Sequence, residues 1–444
     1  MKILVLAWEF PPRIVGGIAR HVAELYPEIV LLDHDVHLVT VAFGDAPSYE
    51  LVEGIHVYRV EVASSQDFFH WIANMNEIMG EHGGKLLLEE GPFDLIHAHD
   101  WLVGDAAIAL KYHFQMPLVA TIHATEYGRC HGLHNATNYY ISDKEKALTE
   151  DAHRIIVCSD YMSREVAYAL NCPSSKMDVV YNGIRAEKKH RDPNFDYVTF
   201  RRRFATDDEK IVYYVGRISH EKGVPMLLEA APHVLQKLDY RVKFVIIGGG
   251  NTDYLKQQAW DLEIYPKCYF TGFMPDDELD KFQTIADCAV FPSLYEPFGI
   301  VALESFAARV PVVVSDAGGL PEVVHHGKTG IVTWATQADT LAWGILEVLT
   351  SPAYAQTLVK NAYVELERRF RWPMLAQQTE AVYAKTLAQF IASGGQDWEA
   401  QDGDPQVVEV RDWQAPAVEV QDLDTQVEIQ GGEDSEDGQE TDRT

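Results

Sequence analysis

The chain has no apolar run long enough to cross a bilayer, few cysteines, and little positive charge for its length. Each shortage removes a class of function. A spanning helix takes about 20 consecutive apolar residues, and the opening Ile3-Leu4-Val5-Leu6-Ala7-Trp8 has only the length of a buried strand, with no signal-peptide cleavage pattern after it. Neither stable membrane insertion nor export is expected, and a cytoplasmic location is. The five cysteines, Cys130, Cys158, Cys172, Cys268 and Cys288, are scattered with no C-x-x-C spacing. That usage points to reduced thiols rather than a disulfide framework or a zinc knuckle. Lys and Arg number 37 against 67 Asp and Glu, a formal charge of −30. Such a surface repels phosphate backbones and anionic lipid, so no nucleic-acid partner is expected and a neutral acceptor is favoured.

The charge is unevenly spread. Residues 393–444 hold 16 Asp or Glu and 2 Arg or Lys, nearly half of the net charge of −30, with few large apolar side chains. Dense like charge without a core to bury predicts a disordered acidic tail. The remaining length exceeds one ordinary core, so two domains are expected. Short apolar runs at 3–7, 36–41, 94–98, 118–122, 155–158 and 179–181 alternate with amphipathic stretches such as 17–32, 142–149 and 161–170. This β/α alternation predicts a mostly parallel sheet covered by helices on both faces. The basic segment at 184–209 interrupts it as a linker. The alternation resumes at 211–215, 244–247, 268–271, 288–291, 311–315 and 330–333. The expected architecture is α/β: two doubly wound Rossmann-like domains, 1–190 and 191–370. A helix at 371–392 then crosses back to the first domain, ahead of the tail.

In open α/β sheets ligands collect where strand ends meet helix starts, and several segments fall there. Tyr295-Glu296-Pro297-Phe298-Gly299-Ile300 follows the strand at 288–291. Pro297 biases Glu296 away from helical angles, and the helix starting near Gly299 would present the amides of Gly299, Ile300 and Val301 to an anion. Glu304 follows on that helix. Gly216-Arg217 and Lys222-Gly223 after the strand at 211–215 bring two cations to the same crevice, suited to a phosphate leaving group. The Gly16-Gly17 pair after the first strand would allow close approach of a diphosphate. The loop Gly272-Phe273-Met274-Pro275 offers backbone to a base edge. His97-Ala98-His99-Asp100-Trp101 and Thr121-Ile122-His123 end neighbouring strands. Their histidines lack clean metal-ligand spacing, so Asp100 and His123 are read as sugar-hydroxyl partners and no metal is expected. The triplet Asp33-His34-Asp35 precedes a strand, at the wrong end for a ligand, and reads as a turn.

Together, Gly16-Gly17, the His123 segment, Gly216-Arg217 with Lys222-Gly223, Glu296-Pro297-Phe298-Gly299 with Glu304, and Gly318-Gly319-Leu320-Pro321-Glu322 resemble glycosyltransferase family 4 of the GT-B fold over roughly residues 1–391. The His97 and His123 segments are most similar to glycogen and starch synthases. The resemblance implies retaining transfer of a hexose, glucose by that likeness, from an ADP- or UDP-sugar without an essential metal or other cofactor. It implies an α-glucan or small soluble acceptor. By position, Glu296 would hold the donor hexose, Glu304 the ribose, and Arg217 with Lys222 the departing diphosphate. His123 would meet the sugar near the reacting carbon, Asp100 would position donor or acceptor, and Gly16, Gly17, Phe273, Met274, Phe298, Gly299, Ile300 and Val301 would line the donor. Bacterial glycogen synthases carry a lysine just ahead of the glycine pair, whereas Ile14 and Val15 stand here, so the donor base stays open. Two alternatives keep the fold. One uses a lipid or phospho-polyol acceptor, with Phe68-Phe69-His70-Trp71-Ile72 as its docking face; the other is a silent sugar-nucleotide-binding scaffold.

Overall fold

The computed structural model describes residues 1–189 and 191–394, so the acidic tail lies, from residue 395 on, outside the described residues. The first sheet contains β1 (Lys2–Leu6), β2 (Asp35–Val41), β3 (Tyr49–Val52), β4 (Ile55–Val60), β5 (Leu95–His99), β6 (Leu118–Ile122), β7 (Arg154–Val157) and β8 (Met177–Val179). The second contains β9 (Lys210–Val215), β10 (Val242–Ile247), β11 (Cys268–Gly272), β12 (Cys288–Phe291), β13 (Val312–Ser315) and β14 (Ile331–Thr333). Their orders are β3-β4-β2-β1-β5-β6-β7-β8 and β11-β10-β9-β12-β13-β14. All pairings are parallel except β3 with β4. Strands such as Cys288–Phe291 and Val312–Ser315 are buried along their whole length, which is why they read as unbroken apolar runs. In both sheets the order reverses beside the first strand, and the crevice at that switch point is where loops from β1, β5, β9 and β12 gather.

Two strands and a helix lie outside the expected elements. β3 and β4 form an edge hairpin turned by Glu53 and Gly54, both at positive φ. Residues 68–72 do not expose their whole apolar set. They open the helix Phe68–Glu89, capped by Asp67 accepting from the His70 N–H at 2.9 Å, and Phe69 and Ile72 are buried in the core. The linker segment contains the short helix Tyr197–Arg201. Asp33 lies in a turn with φ 62°.

The helix Trp372–Ala392 returns to the first domain. Trp372, Leu375, Ala376, Val382 and Tyr383 share a core with Ile18, Val22, Leu25, Tyr26 and Ile29. Trp372 Nε1 donates to Glu24 at 2.8 Å, and the Tyr383 hydroxyl lies 2.7 Å from His97 Nδ1. The chain therefore crosses between domains twice, and the crossings touch: the Ile184 N–H donates to the Phe370 carbonyl at 3.0 Å. Among the described residues no helix is long and apolar enough to cross a membrane.

Candidate active site

The second domain supplies a paired charge. Lys222, in the short 3₁₀ turn His220–Lys222 after β9, places Nζ 2.8 Å from Glu296 Oε2 in the loop after β12. Both side chains are largely but not fully covered. The Glu296 loop is clasped by the distant motif Gly318-Gly319: the Gly319 N–H donates to the Glu296 carbonyl at 2.8 Å. Gly318 sits at φ 61°, and a methyl group there would overlap the same carbonyl oxygen. The glycine pair thus lets one backbone lie directly on another, which explains why two separated motifs belong together. Gly299 begins the helix Ile300–Ala307 at φ 108°. The first amides of that helix, at Ile300 and Val301, have no acceptor inside it.

Gly17, in the first domain, faces this helix start. A Cβ on Gly17 would lie 3.6 Å from Ile300 Cδ1. The sequence reading of Gly16 needs correction, because its amide is already engaged. Glu9, just after β1, accepts the N–H groups of Val15 at 2.6 Å and Gly16 at 2.8 Å. The negative charge held by that turn is therefore a protein carboxylate. Burial pushes the Glu9 pKa up, while those amides and the nearby Arg217 charge pull it down. Arg217 itself is 56% exposed in its side chain and lies 3.5 Å from Glu221 rather than on Glu296.

Glu304 is 2% exposed and is engaged by Arg20, a residue with no expected role. Arg20 projects from the helix Gly17–Leu31 and also pairs with Asp276 at 2.8 Å. Burial alone would push the Glu304 carboxyl up, but the Arg20 and Lys189 charges hold it below its usual value. A ribose reaching Glu304 must therefore share that carboxylate with Arg20 or displace it. Phe298 is a second correction. Its side chain is buried between Tyr181 and Phe370, with ring centroids at 5.8 and 6.0 Å, so it belongs to the hinge core and does not line a ligand. In the loop after β11, Phe273 is 72% exposed and Met274 is buried, which leaves only the backbone of Met274 to face a base.

His123 and Asp100 come together in the first domain. Asp100, at φ 62°, accepts the His123 N–H at 2.7 Å and so fixes the loop after β6. Burial raises the Asp100 pKa to about 7. His123 Nε2 lies 3.0 Å from His99 Nδ1. His99 and His97 stack at 4.4 Å, both fully buried, and both reach the Tyr26 hydroxyl. Burial holds His97, His99 and His123 well below the ordinary imidazole value, so they are neutral near pH 7.

The two halves also meet beside the site. Ser159 Oγ donates to the Pro297 carbonyl at 2.7 Å, and the Tyr295 hydroxyl donates to Glu165 at 2.7 Å. Glu322 accepts the N–H groups of Asp160 and Tyr161 at 2.8 and 2.7 Å, capping the helix Asp160–Ala169 from the opposite domain. A carboxylate there complements the positive end of that helix.

Residues 15–188 match the family described as Glycosyltransferase Family 4, and residues 198–365 match Glycosyl transferases group 1. An uncharacterized glycosyltransferase of Methanocaldococcus jannaschii is 38% identical over 386 residues, covering 86% of this chain and 98% of the relative. A glycogen synthase of Mycobacterium tuberculosis is 34% identical over 400 residues, covering 86% and 94%. The solved sucrose-phosphate synthase of Thermosynechococcus elongatus superposes with a TM-score of 0.76 at 22% identity, over 87% of this chain and 99% of that one. Two facing doubly wound domains define a GT-B protein. This chain belongs to glycosyltransferase family 4, and its activity class is nucleotide-sugar-dependent glycosyl transfer.

Proposed function

We propose that the protein moves a hexose, glucose by its likeness to glycogen synthase, from an ADP- or UDP-sugar to an α-glucan or a small soluble acceptor, with retention of configuration. The observation that carries this reading is the Lys222–Glu296 pair at 2.8 Å beside the amides that open the helix Ile300–Ala307. Breaking the anomeric bond leaves negative charge on a diphosphate oxygen. Lys222, held by Glu296, and the helix amides would receive that charge with little reorganisation, and the exposed Arg217 would swing in to share it. Glu296 keeps the Lys222 ammonium in place and offers its second oxygen to a sugar hydroxyl. His123, held neutral and fixed by Asp100, donates to or accepts from the sugar without adding a charge.

Retention by double displacement needs a carboxylate nucleophile beneath the ring. Glu296 is tied to Lys222, and Glu304 to Arg20. We therefore favour attack from the face the diphosphate leaves, with the leaving phosphate taking the acceptor proton. This reading needs no bound cation. Burial of Phe69 and Ile72 leaves Phe68 and Trp71 as the only partly exposed apolar side chains of that segment, which supports a soluble acceptor over a lipid one.

The test is to incubate the full chain with ADP-, UDP- and GDP-glucose, with and without glycogen, and to measure nucleoside diphosphate release. The product's anomeric configuration is read by NMR. Release that depends on glycogen or a small soluble acceptor, with an α-linked product, is expected. A β-linked product would refute retention, and absence of release with all three donors would refute the glucose assignment.

A further inference from the structure

Three histidines from separate elements converge behind the crevice. His21 comes from the helix Gly17–Leu31, His99 from the end of β5, and His123 from the loop after β6. One ring nitrogen from each lies within 4.8 Å of the others. His21 and His99 are buried, while His123 is partly exposed and gives a route in from the crevice.

The hydrogen bonds fix which nitrogens are free. His21 Nδ1 lies 2.7 Å from Asn182 Oδ1, which can only accept, so the ring proton is on Nδ1. His21 Nε2 then carries a bare lone pair. It is buried, and it has no hydrogen-bond partner among the described residues. An unpaired buried nitrogen is costly unless something occupies the space before it. His99 Nδ1 and His123 Nε2 share one hydrogen at 3.0 Å. Moving that hydrogen to the other nitrogen of its own ring frees both facing lone pairs without changing net charge. Orientation of His21 through Nδ1 by an oxygen acceptor is the arrangement that positions metal-ligating imidazoles.

We propose that His21 Nε2, His99 Nδ1 and His123 Nε2 form a binding site for a divalent transition-metal ion of the zinc, cobalt or nickel class, with a fourth position left for water. Burial lowers the pKa of all three, His21 to about 4, so they are neutral donors at ordinary pH. Neutral imidazoles select these ions over magnesium or calcium, which take oxygen ligands. Zinc to imidazole distances of about 2.0–2.1 Å in a tetrahedral site require His21 Nε2 to draw in and the His99 and His123 nitrogens, now 3.0 Å apart, to part slightly. Asp100 accepts the His123 N–H at 2.7 Å and so holds the loop that carries the His123 ring. His123 is common to this site and to the proposed sugar contact, so a bound ion would compete with the sugar for His123 Nε2, and the cobalt titration is read with no substrate present.

The experiment is titration of the full chain with cobalt(II) chloride, followed by visible absorption and by calorimetry. One equivalent is expected to give the intense ligand-field bands of four-coordinate cobalt. His21→Gln should weaken binding by more than about tenfold, and Asn182→Ala, which leaves all three ligands in place, by about 10–100-fold. Far-UV circular dichroism checks that each variant folds. If His21→Gln does not fold, Asn182→Ala decides. His56→Ala is the control, because Asp35, His37 and His56 form a second, more exposed group that could hold an ion; it should leave the bands unchanged. Faint six-coordinate bands only, loss of binding in His56→Ala, or unchanged affinity in a folded His21→Gln or Asn182→Ala protein would overturn the assignment.

Discussion

Replacing Lys222 by methionine keeps the length of the side chain and removes its charge, which separates the two roles the structure gives it. In the folded protein its ammonium sits 2.8 Å from Glu296 Oε2, with the two side chains 21% and 12% exposed. Breaking a fully buried pair costs about 3–5 kcal/mol, whereas an exposed pair is worth at most about 1 kcal/mol. Partial exposure places this one between them, at about 2 kcal/mol. For a domain of this size that is a fall in Tm of about 4–8 °C, using about 2–4 °C per kcal/mol. The catalytic loss should be larger. Removing one preorganised partner of developing oxyanion charge costs about 100–1,000-fold in kcat, and a lysine that also fixes Glu296 belongs at the upper end. Nucleoside diphosphate release, coupled to a continuous assay at saturating donor, reads kcat directly, and calorimetry reads Tm. Turnover within about fivefold of the parent protein would refute the claim that Lys222 receives the leaving-group charge, whatever happens to Tm.

Gly318→Ala should lower kcat by about 100-fold with a smaller change in stability, because the added methyl meets the Glu296 carbonyl oxygen and shifts the loop that carries the carboxylate; unchanged kinetics would show that the clasp is dispensable. Arg20→Ala leaves the Glu304 carboxylate buried with only the Lys189 charge and the Gln283 amide to support it, and urea unfolding should report a loss of about 3 kcal/mol. A loss below about 1 kcal/mol would contradict the burial argument. The pH profile follows from His21, whose pKa is lowered to about 4 in the fold against an ordinary 6.5. Below 6.5 the unfolded chain takes up a proton that the folded one does not. Stability from this group is therefore complete above pH 6.5 and is lost as pH falls towards 4, by on the order of 3 kcal/mol in all. Measured as Tm against pH, His21→Gln should flatten that part of the curve; parallel curves would mean that His21 is not held neutral.

The chain's own order of residues determined the two β/α series, the helix starting at Gly299, and the presence of Lys222 and Glu296 in the loops after strands with Glu304 on the helix that follows, because each depends on local periodicity or on a proline or glycine within a few positions. Strand Leu118–Ile122 and strand Cys288–Phe291 are bounded by their own apolar runs. The hairpin Tyr49–Val60 was harder to read, since its turn is Glu53-Gly54 and its first strand is half-exposed. The helix Phe68–Glu89 was masked by Gly80, Gly83 and Gly84. Those glycines weaken helix propensity, and Gly83 is there because Leu110 packs against it.

Only the tertiary structure decided which charges meet. Arg20 and Glu304 are 284 positions apart, and Asp160 and Glu322 are 162 apart. Nothing in the spacing of either pair links them; the facing of two domains does. The same holds for Glu9, which looks like one more acidic residue until the turn at Val15 and Gly16 folds over it, and for His21, whose helix brings it to β5 and β6. Periodicity records which side of an element is buried. It carries no record of what lies across the gap, because that depends on the packing of surfaces whose residues are distant in the chain.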